Sequence, residues 1–534
     1  MSETLKTAAK VNMSEESSDL KDQVSRVLSS ADKEDIKDEN FDLFEEGGAN
    51  DEVDQAESKR IARKFDYHMM WVLCVLYGIN YVDKAALGWA VLLNFRSDLH
   101  LVGDDYSWVS SIFYFGYLGA QYPASYCLQR FPVGKVICIS TFLWSIIMFG
   151  HIGCKNYAGI LVCRFLLGVF EAPISGGFVL FTSLFYTRKE QVTRTMFWGS
   201  MQGIFYVIFS FVSYGLGYAS NASLSEWQLV YLVLGLCSAI ISIVWFFLVP
   251  DTPKNARFLT KEEKIIAIKR VSKNMMGTKT HDWKYQQMWD CLIDVKTWFL
   301  IAFIVFSMIP NGGLTNFGTL VLSSIVHNQL QSIAVSVGSS FFSSGQMLIY
   351  SYFASKYDNL RTIGMSGPLI LAIAGLSAVY ATEDHGAKWG RVFAYWMINS
   401  YAVTWPFCLS VLGSNYAGHT KRATMSMLLL IFFSVGNIAG PFCFQSSDAP
   451  KYTKALATIL GCFCACFVIA VLFRYYLIYE NNRRDKKYGK VDTKEDSVKR
   501  EEKLSGIING MKDQTSLSYP SPTPRDRTRS RMPP

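Results

Sequence analysis

Apolar runs of about 20 residues recur along this sequence, from about residue 69 to about residue 478. A helix of that length is what crossing a hydrocarbon core of about 30 Å requires. Only 18% of the residues are charged, whereas soluble proteins average about a quarter. The sequence therefore predicts an all-α integral membrane protein that crosses the bilayer many times.

The apolar runs predict twelve transmembrane helices. Short loops separate them, except after the sixth, where residues 250–296 are polar. This interval divides the chain into six spans plus six, and two similar bundles around a midplane site are typical of secondary transporters. The predicted spans lie near 69–93, 107–129, 133–152, 157–180, 196–218, 229–249, 297–322, 332–354, 363–380, 391–412, 423–445 and 455–478.

The polar segments give the predicted domain boundaries. Residues 1–60 are rich in Ser, Asp, Glu and Lys and cannot bury a core, so we predict a disordered tail. The two bundles then occupy residues 61–249 and 297–480. Between them, residues 250–296 form a central loop that is predicted to contain an amphipathic basic helix. Residues 481–534 are charged and then rich in Ser, Pro and Arg, which predicts a second disordered tail.

The charges of the loops predict the orientation in the membrane. Lys and Arg are concentrated in the even-numbered loops, in the central loop and just before the first span, and loops with that excess stay in the cytoplasm. Both termini are therefore predicted to be cytoplasmic. We find no cleavable signal peptide, so the first span is expected to direct insertion. The sequon at Asn221 then lies outside, where glycosylation is possible. The predicted location is the plasma membrane.

Charged residues also occur inside the apolar runs. Arg164 and Glu171 lie in the fourth run, two helical turns apart and so on one face. Gly168 between them leaves that face open to a close neighbour or to a solute. An ionised side chain at mid-membrane costs roughly 2.5–3.5 kcal/mol, which indicates either a structural ion pair or a polar pathway. Asp83 and Lys84 in the first run point about 100° apart on a helix, so each is expected to have a partner elsewhere, with Arg164 the candidate for Asp83.

Several short stretches, in the same order along the chain, carry a family resemblance. They are N-Y-V-D-K from Asn80, D-D-Y-S-W from Asp104, F-Y-F-G-Y from Phe113, R-F-L-L-G-V-F-E from Arg164, P-D-T-P-K-N-A-R-F-L from Pro250, I-P-N-G-G from Ile309 and Y-A-G-H-T-K-R from Tyr416. From about residue 60 to residue 485, the chain resembles the major facilitator superfamily, and within it the fungal allantoate permease branch of the anion:cation symporters.

The resemblance implies a fold and a function. The fold is two six-helix bundles with twelve transmembrane helices in total. The function is that of a proton-coupled symporter, which imports a small organic anion such as allantoate or another ureido acid, a carboxylate vitamin, a dipeptide or a sulfonate. Its partners are that anion, protons and the lipid bilayer, and we expect a monomer.

Two motifs depart from the superfamily's usual patterns. The loop motif G-x-L-x-D-R-x-G-R-R is poor, because Y-C-L-Q-R-F-P-V-G-K from Tyr126 and F-A-S-K-Y-D-N-L-R from Phe353 lack Asp in the usual place. The string G-x-x-x-G-P, typical of the fifth span of antiporters, is absent there. A similar string from Gly436 to Pro441 falls in the eleventh span, where it predicts a kink and a packing site.

The charged residues have predicted roles in the candidate site. In related anion symporters an acid at the position of Asp83 and a cation at that of Lys84, commonly Arg, take part in coupling and substrate binding. Glu171 is the predicted proton carrier, because desolvation favours the neutral form of a carboxyl, and Asp83 is a second carrier. Arg164 is the predicted anion anchor, because a guanidinium stays charged and matches a carboxylate. Neutral hydrogen bonds to substrate are predicted from Tyr114, Tyr117 and Asn311, although ordinary helix packing also accounts for each.

Other classes of protein are less consistent with the sequence. It contains no phosphate-binding loop, no nucleophile–base–acid set and no metal-ligand spacing, so we predict neither an enzyme nor a pump, and no cofactor or metal. The twelve cysteines lie mostly in apolar runs and are interpreted as small hydrophobic residues. The formal charge of +8 is unevenly placed, which relates to topology rather than to nucleic acid. His151 and His327 lie near span ends and are predicted at the interface. A nutrient sensor that signals through its tails and an anion channel remain alternatives.

Overall fold

Long helices make up nearly all of the chain in its computed structural model. The structure describes residues 55–219, 223–275, 285–356, 361–382, 387–416 and 419–488. Most of both predicted tails therefore lies outside the described residues, and so does the sequon residue Asn221. The disorder of the tails and the glycosylation stay predictions.

Six spans form the first part of the protein, the N-half, and six form the second part, the C-half. Spans 1 to 6 are Trp71–Ala90, Asp105–Arg130, Val133–Ile152, Tyr157–Phe185, Arg188–Leu216 and Glu226–Leu248. Spans 7, 8, 9, 11 and 12 are Val295–Val326, Gln329–Lys356, Arg361–Ala381, His419–Ala439 and Thr453–Tyr488. Span 10 consists of Lys388–Ile398 and Thr404–Asn415, joined by the 3-10 turn Asn399–Val403. Every predicted span falls on one of these helices, which confirms the predicted all-helical, multi-span fold.

The spans differ in how clearly their composition marks them. Nine of the described helices are long and apolar enough to cross a membrane by length and composition alone. The other three predicted spans are 2, 8 and 10. Spans 2 and 8 fall short because Ser, Tyr and Gln interrupt their apolar residues. Span 10 falls short because its 3-10 turn divides it into two pieces. These three helices are therefore held in the bundle by their neighbours more than by their own hydrophobicity.

Helical structure reaches into both segments that were predicted as tails. A helix at Gln55–Phe65 precedes span 1 and is joined to it by a π-helical turn at Asp66–Met70. Its Lys64 Nζ lies 2.6 Å from Glu263 Oε1. Glu263 belongs to the helix Lys261–Met275 of the central loop, where a basic helix was predicted. The hydrogen bond from Lys64 lowers the pKa of the Glu263 carboxyl below its usual value. The first helix begins earlier than expected because its Ile61 and Phe65 are buried in the core, and the long-range ion pair, which local composition does not reveal, adds to this contact.

Spans 2 and 4 cross at two glycines. A Cβ atom on Gly168 would overlap the carbonyl oxygen of Phe113, and one on Gly116 would overlap that of Phe165. Small residues at such crossings let two membrane helices approach closely. The face between Arg164 and Glu171 is therefore open at Gly168 to a neighbouring helix, the first of the two alternatives that the sequence left.

We expect Gly168→Val to destabilise the N-half. The added side chain meets backbone atoms of span 2, which cannot move away as a flexible side chain would, and overpacking of this kind costs at least about 1–3 kcal/mol. The measurement is the unfolding temperature of the purified protein, together with its yield in membranes. Gly119→Ala on span 2 is the matched control, because nothing lies within 4 Å of a Cβ atom there. Equal unfolding temperatures for the two variants would contradict this crossing.

Hydrogen bonds join the two halves at the end of the molecule where span 1 meets span 2, which we call the closed end. In five of them a hydroxyl group donates to a backbone carbonyl oxygen of the other half. They run from Tyr106 Oη to Asn316 O (2.9 Å), from Ser107 Oγ to Pro441 O (3.1 Å), from Ser111 Oγ to Ile438 O (2.8 Å), from Thr319 Oγ1 to Gly88 O and from Ser446 Oγ to Gly103 O.

Candidate functional site

Two acids and two bases lie inside the N-half, on spans 1 and 4. Asp83 is fully buried, and Arg164 and Glu171 are each 2% exposed. The side chain of Lys84 is 26% exposed and is thus the most accessible of the four. The set is neutral as a whole when all four are ionised. Because an uncompensated charge is costly inside a membrane protein, these residues are expected to be held in pairs.

Lys84 and Glu171 form the first pair. The ammonium group of Lys84 on span 1 makes an ion pair with Glu171 Oε1 on span 4. The amide of Asn80, one turn before Lys84, lies close to the same carboxylate. Tyr114 and Tyr117 of span 2 lie near the Lys84 ammonium group. The structure therefore brings four of the predicted site residues together, and the partly exposed cation is their most accessible member.

The Asp83 side chain points away from the pair formed by Lys84 and Glu171, towards span 6. Ser238 Oγ donates a hydrogen bond of 3.3 Å to Asp83 Oδ2, and Trp144 on span 3 lies close to the same carboxylate. Arg164 donates from Nη2 to the hydroxyl of Tyr231, also on span 6. The expected direct contact between Asp83 and Arg164 is thus replaced by contacts to a third helix.

Span 6 can serve both residues because of its spacing. Tyr231 and Ser238 are seven residues apart, two helical turns, and so lie on one face of that helix. Arg164 and Glu171 have the same spacing on span 4. Span 6 therefore presents both polar groups, Tyr231 to Arg164 and Ser238 to Asp83. No single segment of sequence carries this information, so Tyr231 and Ser238 were not predicted.

His151 is buried, which corrects its predicted place at the interface. Its side chain is fully enclosed at the end of span 3, and the ring stacks on that of Tyr231 with centroids 4.7 Å apart. Its Nδ1 lies 2.8 Å from Ile147 O, and among the described residues its Nε2 has no hydrogen-bond partner. Span 6 covers this end of span 3, and for that reason position along the chain was misleading. His327, by contrast, is exposed at the end of span 7, as predicted.

Neutral polar groups of the C-half lie across from this cluster. Asn311 Nδ2 on span 7 donates to Asn437 Oδ1 on span 11 at 2.8 Å. Tyr401 Oη, in the 3-10 turn of span 10, donates to Asn311 Oδ1 at 3.1 Å. Tyr401 also lies near Tyr114 of the N-half. Asn311 is therefore held in the C-half by neutral hydrogen bonds and does not contact the ion pair of the N-half directly.

The string from Gly436 to Pro441 is a packing site, as predicted. A Cβ atom on Gly436 would lie 2.6 Å from Met308 Cβ and 2.9 Å from Val305 O of span 7. The α-helix of span 11 then gives way to the 3-10 turn Gly440–Cys443. This close approach places Asn437, the residue after Gly436, against Asn311.

Aromatic side chains connect the two halves next to the site. The ring of Tyr114 lies 6.3 Å from that of Phe433 on span 11, and Phe433 lies 5.2 Å from Trp405 of span 10. Tyr117 stacks on Phe113 of its own helix with centroids 6.3 Å apart. In the described ranges no group of three or more His, Cys, Asp or Glu residues is placed to hold a metal ion. The cations of the site are able to bind an anion, and its carboxylates are able to exchange protons.

Comparisons with known proteins concern the chain as a whole. Residues 73–441 match a family described as the Major Facilitator Superfamily. An uncharacterized transporter of Schizosaccharomyces pombe is 33% identical over 84% of this chain and 85% of its own. The allantoate permease of Saccharomyces cerevisiae is 29% identical, with 82% of each chain covered. A crystal structure of a D-xylose-proton symporter has a TM-score of 0.59 at 12% identity, over 77% of this chain and 97% of its own, and this likeness concerns the fold alone.

Proposed function

This chain belongs to the Major Facilitator Superfamily and is a secondary transporter rather than an enzyme, and we propose that it imports a small organic anion together with protons. The similarity to an allantoate permease supports an anion as substrate. The observation that carries the proposal is the ion pair between Lys84 and Glu171 in the interior of the N-half.

In the proposed mechanism, protonation of Glu171 frees Lys84 for the substrate. Ionised Glu171 and an organic anion compete for the same ammonium group, and only one of them can hold it. When Glu171 takes up a proton, it loses its charge and no longer forms an ion pair with Lys84, so an anion binds more readily in acid. Release of that proton on the other side restores the ion pair and expels the anion. This competition links proton movement to anion movement.

Arg164 and Asp83 provide a second cation and a second acid. We assign to Arg164 the bidentate contact with a carboxylate that Lys84 cannot make. Asp83 is the second proton carrier, since it is buried and hydrogen-bonded to neutral Ser238 rather than to a base. Tyr114, Tyr117 and Asn311 supply neutral hydrogen bonds to the uncharged part of the substrate. Their positions on both halves would allow a bound molecule to contact the N-half and the C-half at once.

The proposed orientation follows from the charges of the loops. With the even-numbered loops in the cytoplasm, the closed end faces outside. The proposed location is the plasma membrane, where an importer of nutrients acts.

Uptake of a panel of small organic anions by cells with and without the protein tests this function. We expect one or a few carboxylates to accumulate, more strongly at acidic external pH. Counterflow in proteoliposomes then separates the alternatives. Binding without exchange of internal for external anion would indicate a sensor, and flux that does not respond to a proton gradient would indicate a channel.

The number of protons decides whether transport carries current, and we expect two per monovalent anion because two acids are available. One net positive charge then enters per cycle. The pH gradient contributes about 1.4 kcal/mol of driving force per proton for each pH unit, and the membrane potential contributes about 2.3 kcal/mol per 100 mV. The measurement is substrate-induced current under voltage clamp, which should grow with negative potential and with external acidity. Saturable, acid-dependent uptake without current would reduce the count to one proton and leave Asp83 with a structural role.

A further inference from the structure

We propose that Cys154 and Cys163 form a disulfide that joins spans 3 and 4 at the closed end. Cys154 lies in the short loop after span 3, and Cys163 lies in the second turn of span 4. Their sulfur atoms are 3.6 Å apart. A disulfide bond is about 2.05 Å long, so the two sulfurs need to approach by only about 1.5 Å.

Two glycines make room for the sulfur atoms between the helices. A Cβ atom on Gly150 would lie 3.5 Å from Cys163 Sγ, and one on Gly159 would lie 3.5 Å from Cys154 Sγ. Each thiol therefore packs against a backbone that carries no side chain, which leaves space for side-chain rotation. Cys154 Sγ donates to Gly150 O at 3.4 Å. Because a thiol is a weak donor, little is lost when this contact is exchanged for a covalent bond.

The buried cysteine of span 3 is not a competing partner. Cys138 Sγ lies at the opposite end of that span, 3.5 Å from Ser242 O of span 6. Sixteen residues of helix, about 24 Å, separate it from Cys154. This distance is far beyond the reach of a disulfide, which spans at most about 6.8 Å between Cα atoms.

The proposal rests on the orientation given under the proposed function, because disulfides form and persist on the oxidising side of the membrane. The oxidant is an oxidised protein dithiol of the secretory pathway. The Cys154 and Cys163 thiols give up two protons and two electrons as their sulfur–sulfur bond forms. The disulfide of the donor is reduced to two thiols through a mixed disulfide.

The bond would hold the part of the molecule that positions Arg164. Cys163 directly precedes Arg164, and Cys154 follows His151 by three residues. His151 stacks on Tyr231, whose hydroxyl accepts the hydrogen bond from Arg164. A covalent link between the two segments fixes their spacing, and closing a short loop in this way restricts the unfolded chain.

Peptide mapping of the full-length protein in native membranes tests the bond. Membranes are treated with N-ethylmaleimide without a reductant, and the protein is then digested with trypsin, which cuts after Lys155 and after Arg164. Cys154 falls on the peptide 136–155 and Cys163 on the peptide 156–164. We expect these two peptides to be linked before reduction and separate after it. Cys138→Ser should keep the link, whereas Cys154→Ser and Cys163→Ser should each abolish it.

A wild-type protein in which N-ethylmaleimide labels both Cys154 and Cys163 before reduction would overturn the proposal. The unfolding temperature provides a second test. Reductant should lower the unfolding temperature of the wild-type protein by several degrees and should leave that of Cys154→Ser unchanged. An equal response of the two proteins would also count against the bond. Neither measurement uses a transported substrate, so failure here is distinct from failure of proton-coupled import.

Discussion

Glu171→Gln is expected to abolish acid-driven accumulation of the substrate while counterflow exchange persists. Gln carries no exchangeable charge, so it cannot compete with an anion for Lys84 and cannot release a proton. At position 171 the variant resembles the protonated wild-type protein at every pH. Because exchange requires no net proton release, some of it should continue. The measurements are uptake against a pH gradient and counterflow without one, both in proteoliposomes.

The matched control is Glu57→Gln, which removes the same charge from an exposed position on the helix Gln55–Phe65. This variant should retain both activities, because Glu57 has no contact with the interior cluster. Accumulation that persists unchanged in Glu171→Gln would exclude Glu171 as a proton carrier. Loss of both accumulation and exchange, in a protein that remains folded, would show that the ion pair with Lys84 is needed for binding itself.

Arg164→Ala should reduce uptake at least about 100-fold. Two hydrogen bonds to a charged group are worth at least about 3 kcal/mol, and each tenfold change corresponds to about 1.4 kcal/mol. Arg164→Lys should recover little, because an ammonium group cannot make a bidentate contact with a carboxylate. Lys84→Arg should be milder, since a guanidinium at that position can still pair with Glu171. Full activity in Arg164→Lys would show that only the charge matters.

A second variant separates substrate binding from structural stability. Removal of Arg164 leaves Asp83 and Glu171 with one cation between them, and an uncompensated buried charge is itself destabilising by several kcal/mol. The double variant Arg164→Ala/Asp83→Asn restores neutrality in the N-half. We expect it to recover the unfolding temperature but not the binding of the imported anion, read as counterflow. Recovery of counterflow in the double variant would make Arg164 a partner for charge balance rather than an anchor.

The sequence was informative about the spans and about which residues are charged within them. Length and apolar composition determine most membrane helices locally. The weakly apolar spans 2 and 8 could be located by their place in the order of spans. The 100° between Asp83 and Lys84 correctly indicated separate partners. The identity of those partners could not be deduced, because it depends on which helices are neighbours and on the depth at which they cross.

Two further features could not be predicted from the local sequence, for the same physical reason. His151 is buried because span 6 packs over the end of span 3, and its own segment looks like any span end. The helix Gln55–Phe65 forms in a polar segment because Ile61 and Phe65 pack into the core and Lys64 reaches Glu263, 199 residues away. Contacts between distant parts of the chain override composition in both cases.

The closed end has a property that separates it from the charged site. Five of its described bonds join hydroxyl donors to backbone carbonyl acceptors, and neither group titrates in the physiological range. Bonds of this kind contribute about 0.5–1.5 kcal/mol each, and they depend little on salt because neither partner is charged. These hydroxyl–carbonyl bonds are thus insensitive to acid and to salt, whereas Arg96 of the N-half, which interacts with the Tyr452 hydroxyl of the C-half at the same end, is charged. In the proposed mechanism, pH therefore acts on the cycle through the carboxylates of the N-half, whose protonation has to supply the few kcal/mol that separate the two halves.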